Sequence, residues 1–245
     1  SMKSSGAELT LTTVNIQPST KGGFGWTTDF IYTHTTNTVT KLTSNKRVID
    51  MITGGGFAKE GYPVRSLFSI PYVGLNEDGL PQFKTASGST TVTEIYFQNY
   101  DSGNGELDYL KYEGSVDPTD FGSIRNEFRW NGFRLNVFIT YSAGNVIRLN
   151  PVFAASYSDL TAMTREFKNR WAVPGDEKYT NIPVIASKRT SQRYGSALQY
   201  AYSAYNYSTA RVAKGDFVRL KEISLTYDFP AAWASKLAMK TLALK

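Results

Sequence analysis

Cysteine is absent from this 245-residue sequence, and histidine occurs once, at His34. Without cysteine there is no disulfide framework, no thiolate nucleophile and no sulfur-ligated metal, so a small secreted domain stapled by disulfides is excluded. A Ser-His-Asp triad would have to use His34. That residue closes the alternating run Phe24, Trp26, Thr28, Phe30, Tyr32, His34, where it reads as a strand-end residue. Long apolar runs are lacking too. Nothing approaches the roughly 18 consecutive apolar residues of a membrane-spanning helix. A membrane barrel stays open, because its strands turn alternate residues to water and keep the mean hydropathy low; here it is -0.33. The net charge of +6 is spread along the chain. No dense Lys/Arg run with interleaved aromatics accompanies it, so the basic excess reads as a solvated surface and no nucleic-acid partner is expected.

What is present favours strands: aromatic residues make up 14% of the chain, with 16 tyrosines and 14 phenylalanines. The sharpest signal surrounds Asn131-Gly132. Upstream, Ile124, Phe128 and Trp130 hold even positions while Ser123, Arg125, Glu127 and Arg129 hold odd ones; downstream, Phe133, Leu135, Val137, Ile139 and Tyr141 are odd. An Asn-Gly pair suits a two-residue type I′ hairpin, whose central residues both need positive φ. That turn sets Trp130 against Phe133, Phe128 against Leu135 and Ile124 against Ile139. All the large apolar residues then share one face although the parity has flipped. The other face carries Arg125, Glu127, Arg129 and Arg134, and Arg129 opposite Arg134 demands good solvation. Such a two-faced hairpin fits a soluble half-buried sheet or a membrane barrel wall.

Further strands are expected at residues 6–16 and 24–35, joined by a turn at 17–23. The Gly-, Asn- and Ser-rich stretch 43–120 is too long for a structureless loop and should hold short strands of its own. A second irregular stretch covers 144–214. Within it Leu160, Met163, Phe167 and Trp171 recur at helical spacing after Ser158 and Asp159, which predicts a short amphipathic helix. The last clear strand is 216–229, where the parity of Val218 and Leu220 opposes that of Ile223 and Leu225 and implies a bulge near Lys221-Glu222. Pro230 opens a short turn or helix, and Thr241 to Leu244 begins another strand. Counting directions, the short connections (17–23, 131–132, 230–240) fall at one end of the strands and both long excursions at the other. Outer-membrane barrels have this asymmetry, with short periplasmic turns and long extracellular loops.

The stretch Phe217-Val218-Arg219-Leu220-Lys221-Glu222-Ile223-Ser224-Leu225-Thr226-Tyr227-Asp228-Phe229-Pro230 resembles the F-x-R-L-K-x-I-S-L-x-Y-x-x-P segment of SusC/RagA-type TonB-linked outer-membrane proteins. Gly6-Ala7-Glu8-Leu9, Trp26-Thr27-Thr28 through Asn37-Thr38-Val39, Gly74-Leu75-Asn76-Glu77-Asp78-Gly79-Leu80-Pro81 and Phe128 to Leu135 resemble further segments of that family, in the same order. The resemblance implies an all-β fold: antiparallel up-and-down strands of a transmembrane β-barrel, here a C-terminal fragment covering residues 1–245, with long extracellular loops and a short loop helix. Plug, TonB box and the first part of the barrel have no counterpart, and the final strand is cut at Lys245. No signal peptide opens the chain, and Ser1-Met2 resembles the scar of a cleaved tag. What the family implies is a place in the bacterial outer membrane, TonB-dependent import of oligosaccharides or peptides, a SusD-like lipoprotein and TonB as partners, a lipid bilayer around the wall, and no cofactor.

Candidate sites weigh lightly against this. Gly54-Gly55-Gly56 lacks the Gly-Lys-Ser/Thr of a phosphate loop and reads as a flexible loop. Asp101, Asn104, Glu106 and Asp108 depart from the spacing of a calcium loop and read as a turn. Asp78-Gly79 reads as a turn as well. The run Tyr194, Tyr200, Tyr202, Tyr205, Tyr207 offers platforms that could stack on sugars or peptides, or else an extended, locally packed loop. No carboxylate pair can be assigned to acid/base work, so no catalytic or metal-binding residue is named and no enzyme is expected. Two functions stay open: a piece of a TonB-dependent transporter, or a soluble all-β carbohydrate-binding module.

Overall fold

The computed structural model describes residues 1–44, 46–153, 164–236 and 239–245. The chain divides into two compact units. One, a wall, comprises Ser4–Thr36, Pro118–Gly144 and Gly215–Lys245; the other comprises Ser1–Lys3, Asn37–Asp117 and Asn145–Lys214. Among the described residues no helix is long and apolar enough to cross a membrane, which says nothing about strands.

The wall is one antiparallel sheet. Its strands are β1 (Met2–Ile16), β2 (Gly25–Val39), β3 (Asp120–Trp130), β4 (Phe133–Ala143), β5 (Phe217–Asp228) and the short β6 (Ala243–Leu244), neighbours in chain order throughout. Asn131 has φ 46° and Gly132 φ 87°, the pair of left-handed residues that a type I′ turn requires. Trp130 pairs with Phe133, Phe128 with Leu135 and Ile124 with Ile139, the register read from the sequence. The bulge is where parity placed it. Phe138 pairs with Glu222 but Ile139 pairs with Leu220, so Lys221 is the extra residue. At Gly122 only glycine fits, because a Cβ there would lie 2.0 Å from the Ile31 carbonyl oxygen.

The second unit is built from the two long excursions, and they do hold short strands. Ser66–Ser69 pairs with Lys111–Ser115, and Tyr72–Leu75, Pro81–Lys84 and Thr90–Thr91 form a small sheet. These strands are too short to hold themselves. They are held by a core in which Val48, Met51, Ile52, Phe68, Ile70 and Phe83 are buried against Phe153 and Tyr205. The guanidinium of Arg148 donates to the carbonyls of Ile52, Phe68 and Ser208 at 2.7–3.1 Å and so ties three segments together. Burial pushes that guanidinium down to about 10.

Two expectations in the second excursion need revision. Of the helix predicted from Ser158 to Trp171, residues 154–163 lie outside the described residues, and the remainder holds a 3₁₀ turn at Arg165–Asn169. The tyrosine run is not an extended loop: Ala197–Asn206 is an α-helix. Leu198, Ala201, Ala204 and Tyr205 recur at intervals that fill one helical face, and that face is buried. Tyr202 donates to the Val184 carbonyl at 2.6 Å, while Tyr200 points outward with 54% of its surface exposed.

Candidate functional site

The wall presents two chemically opposite faces, and strand register dictates both. On one, a concavity of about 690 Å³ is lined by Asp29, Arg125, Glu127, Arg134, Asn136 and Glu222 among others. Arg129 does stand opposite Arg134, as the sequence required. Each finds its own carboxylate: Arg129 bonds Glu127, and Arg134 donates to both oxygens of Asp228 at 2.9 and 3.2 Å. The Arg125 guanidinium lies 4.8 Å over the Phe138 ring, and Lys245 approaches Glu222 at 3.4 Å. Mixed charges paired side by side suit a wet surface, where each pair is worth at most about 1 kcal/mol.

On the opposite face the strands align apolar side chains in rows. Trp26, Phe128, Leu135 and Leu225 form one row across β2 to β5; Phe30, Ile124, Ile139 and Leu220 form another. At the short-turn end, aromatic rings meet in contact pairs: Trp26 with Phe128 at 5.8 Å, Phe133 with Tyr227 at 4.6 Å, Phe229 with Trp233 at 5.8 Å. At the other end stand Tyr32 and Tyr141, both paired with Gly122. An aliphatic band flanked by aromatic rings is the pattern of a surface that meets lipid between two interfaces.

Two polar clusters on that face bond within themselves, which lowers the cost of turning them from water. The Asn126 carbonyl accepts from the Trp26 indole at 2.9 Å and from the Thr28 hydroxyl at 2.7 Å. Asp120 accepts from the Tyr32 and Thr119 hydroxyls at 2.7 and 2.6 Å and contacts His34 Nδ1 at 2.8 Å. The lone histidine therefore has a carboxylate partner but is not the strand-end residue expected from the sequence: β2 continues past it to Val39, and His34 sits opposite Asp120, the first residue of β3.

The weighed loop candidates resolve into turns. In Gly74 to Pro81 the Asn76 side chain accepts from the amides of Asp78 and Leu80 at 3.1 and 2.8 Å. Gly79, at φ 73°, lies under Trp171, whose ring would sit 2.5 Å from any Cβ there. Asp101 and Glu106 spend their oxygens on amides of their own turn: Gly103 and Gly105 donate to Asp101, Ser102 and Asn104 to Glu106. The hydrogen bonds with Asp101, with the Ser102 hydroxyl and with these amides hold the Glu106 carboxyl at about 2. Asp108 pairs with Lys59 at 2.8 Å, and among the described residues no group of three or more His, Asp or Glu side chains could hold a metal ion. Gly54 to Gly56 follows the helix Val48–Ile52, with the Gly55 carbonyl accepting from Arg65 at 3.0 Å.

No protein-family model matches the chain. Among curated proteins, TonB-dependent receptor P3 of Formosa agariphila is 26% identical over 254 residues, a match covering 99% of this chain and 23% of that receptor. The chain is a homologue of TonB-dependent receptors. TonB-dependent receptor P39 of the same organism is 24% identical, over 87% of this chain and 23% of its own length. The chain therefore spans about a quarter of the length of these receptors. Two solved structures of RagAB share the fold. The peptide transporter gives a TM-score of 0.67 at 19% identity, over 99% of this chain and 24% of that one. The importer in its open-open state gives 0.65 at 18% identity, over 100% of this chain and 25% of that one. The resemblance carried by the motifs is borne out, and the motif Phe217 to Pro230 falls on β5, the bulged strand of the wall.

Proposed function

We propose that residues 1–245 are part of the barrel domain of an outer-membrane TonB-dependent transporter that imports oligosaccharides or peptides with a SusD-like lipoprotein. The plug and the rest of the barrel belong to other parts of the parent protein. In this reading the apolar face of the wall meets lipid, the charged face lines the watery interior, and the long excursions are extracellular loops. Substrate is held between lipoprotein and barrel, and TonB acts through the plug. We assign this chain no catalytic residue and no cofactor.

One observation carries the reading: large apolar residues aligned in register on one face stay uncovered. Val218, Ile223 and Leu225 expose 76%, 61% and 56% of their surface. A soluble carbohydrate-binding module would pack a second layer over that face, and among the described residues of Ser4–Thr36, Pro118–Gly144 and Gly215–Lys245 the only buried hydrophobic is Ala234. Homology to TonB-dependent receptors and likeness to the RagAB peptide importer support the same reading.

The test is made on the parent gene in its own host. Deletion should abolish TonB-dependent uptake of one class of oligomer, and the tagged protein should fractionate with the outer membrane and co-purify with a lipoprotein. A parent gene with neither a plug-coding region nor a SusD-like neighbour would contradict the proposal.

A further inference from the structure

In the unit built from the long excursions, two concavities adjoin. The first, about 550 Å³, is lined by Tyr96, Tyr100, Tyr109, Ser87, Gln98 and Glu106 among others. The second, about 510 Å³, is lined by Tyr96, Phe97, Tyr200, Thr93, Ser196 and Gln98 among others. Ile95, Tyr96 and Gln98 belong to both, so Tyr96 stands on the ridge between them. Both volumes fall within the range of small-molecule sites.

Three features of this double cleft point to a ligand. Tyr96, Tyr100 and Tyr200 expose 60%, 65% and 54% of their surface, a concentration of rings that water solvates poorly. The ridge is also rigid. Thr91 Oγ1 accepts from the amides of Thr93 and Glu94, the Phe97 carbonyl accepts from the Ile49 amide at 3.0 Å, and Ile95 beneath is buried. Rings fixed before binding lose little entropy on binding. The third feature is the polar complement. Thr85, Ser87 and Ser89 hydroxyls bond one another at 2.7–2.9 Å, and Gln98 and Asn99 add amides.

Charge selects the ligand class. Among the described residues lining the two concavities the charged side chains are Glu94 and Glu106, with no lysine or arginine. A peptide carboxylate, a uronic acid or a phosphate would meet the two glutamates, while the cations that border the lining are engaged: Arg47 pairs with Asp50 at 2.9 Å and donates to Gln98 Oε1 at 3.0 Å, and Lys84 donates to the Gly88 carbonyl at 3.2 Å. Neutral sugars offer apolar ring faces for the tyrosines and hydroxyls for the amides and serines. We infer that the double cleft beside Tyr96 binds a neutral oligosaccharide, with successive pyranose rings on Tyr100, Tyr96 and Tyr200. This deepens the importer reading and rests on it for the glycan's fate, but not for the binding itself.

The test uses the full-length parent receptor in detergent, by calorimetry, with no transport step, so failure of the importer reading leaves the result intact. The probes are maltohexaose, cellohexaose, mannohexaose and xylohexaose, with hexagalacturonate and hexa-alanine as competitors of other chemistry. At least one neutral hexasaccharide should bind. Tyr96→Ala and Tyr200→Ala should each weaken it by roughly tenfold, the loss of one anchor residue. Tyr179→Ala, whose ring is 88% exposed and lines neither concavity, should change nothing. Preference for hexagalacturonate or the peptide, binding indifferent to both variants, or no binding of any neutral probe would each overturn the inference.

Discussion

In the unit of long excursions, aliphatic and aromatic side chains meet one another: Val48, Met51, Ile52, Ile70 and Phe83 have no exposed surface. In the wall, side chains of the same kinds turn away from the protein, and Leu220, Ile223 and Leu225 keep more than half of theirs. Composition does not separate the two regions, but order along the chain does. Period-two alternation over eleven or twelve residues builds a face that only a second medium can cover. Short irregular stretches can instead fold back on a core of their own. On the proposed reading the same residue type stabilises one region by contact with protein and the other by contact with the bilayer, and substitutions should divide accordingly.

The largest contrast is expected at Phe83. Phe83→Ala opens a cavity in a close-packed core and should cost about 3–5 kcal/mol, read as lost hydrogen-exchange protection across the excursion unit. Leu225→Ala in detergent should cost less than about 1 kcal/mol, since little protein packs on it. Equal losses would break the distinction. Next comes charge. Ile223→Arg should destabilise the receptor in lipid vesicles by about 2–4 kcal/mol, against about 0.5 kcal/mol or less for Thr226→Arg on the opposite face. Unfolding by denaturant in vesicles measures both.

How much of this division could be read from the chain differs between the regions for the same reason. The β3–β4 register was legible because Asn131-Gly132 fixes the turn and a slip of one residue would invert every face. Lys221 was legible as a bulge because the parity of its neighbours changes across it. The excursion unit was not legible, since its strands run two to five residues and are held from afar. Asn206, for instance, donates to the Phe153 carbonyl at 2.7 Å and accepts from the Val152 amide at 3.0 Å. Nothing local announces such a bond. The helix Ala197–Asn206 did carry a signal, in the spacing of Leu198, Ala201 and Tyr205, but the tyrosines between them obscured it. Tyr96 had no signal at all, because its exposure depends on Ile95 and Leu107 packing underneath.

Two smaller effects sharpen the picture. Gly132→Ala places a Cβ 3.0 Å from the Asp228 carbonyl oxygen at φ 87° and should cost about 1 kcal/mol, seen as faster exchange at the β3–β4 turn. The acid response of Glu106 should be confined to its turn. Its folded value of about 2 lies below its ordinary 4.5, so the contribution is complete above the latter and is lost as pH falls through the former. The protection factors of the Ser102 and Asn104 amides, taken against the intrinsic exchange rate at each pH, should fall over that window while those of the wall are unchanged.

The central claim is that the wall separates lipid from water. Glu127 and Val137 sit on neighbouring strands and opposite faces, so spin labels at these two positions compare the two media at nearly the same depth. In the full-length receptor reconstituted in bilayers, lipid-soluble oxygen should relax the label at 137 more than the label at 127, and a water-soluble relaxation agent should do the opposite. If oxygen instead relaxes the label at 127 more strongly, the apolar face does not meet the membrane and the account is wrong.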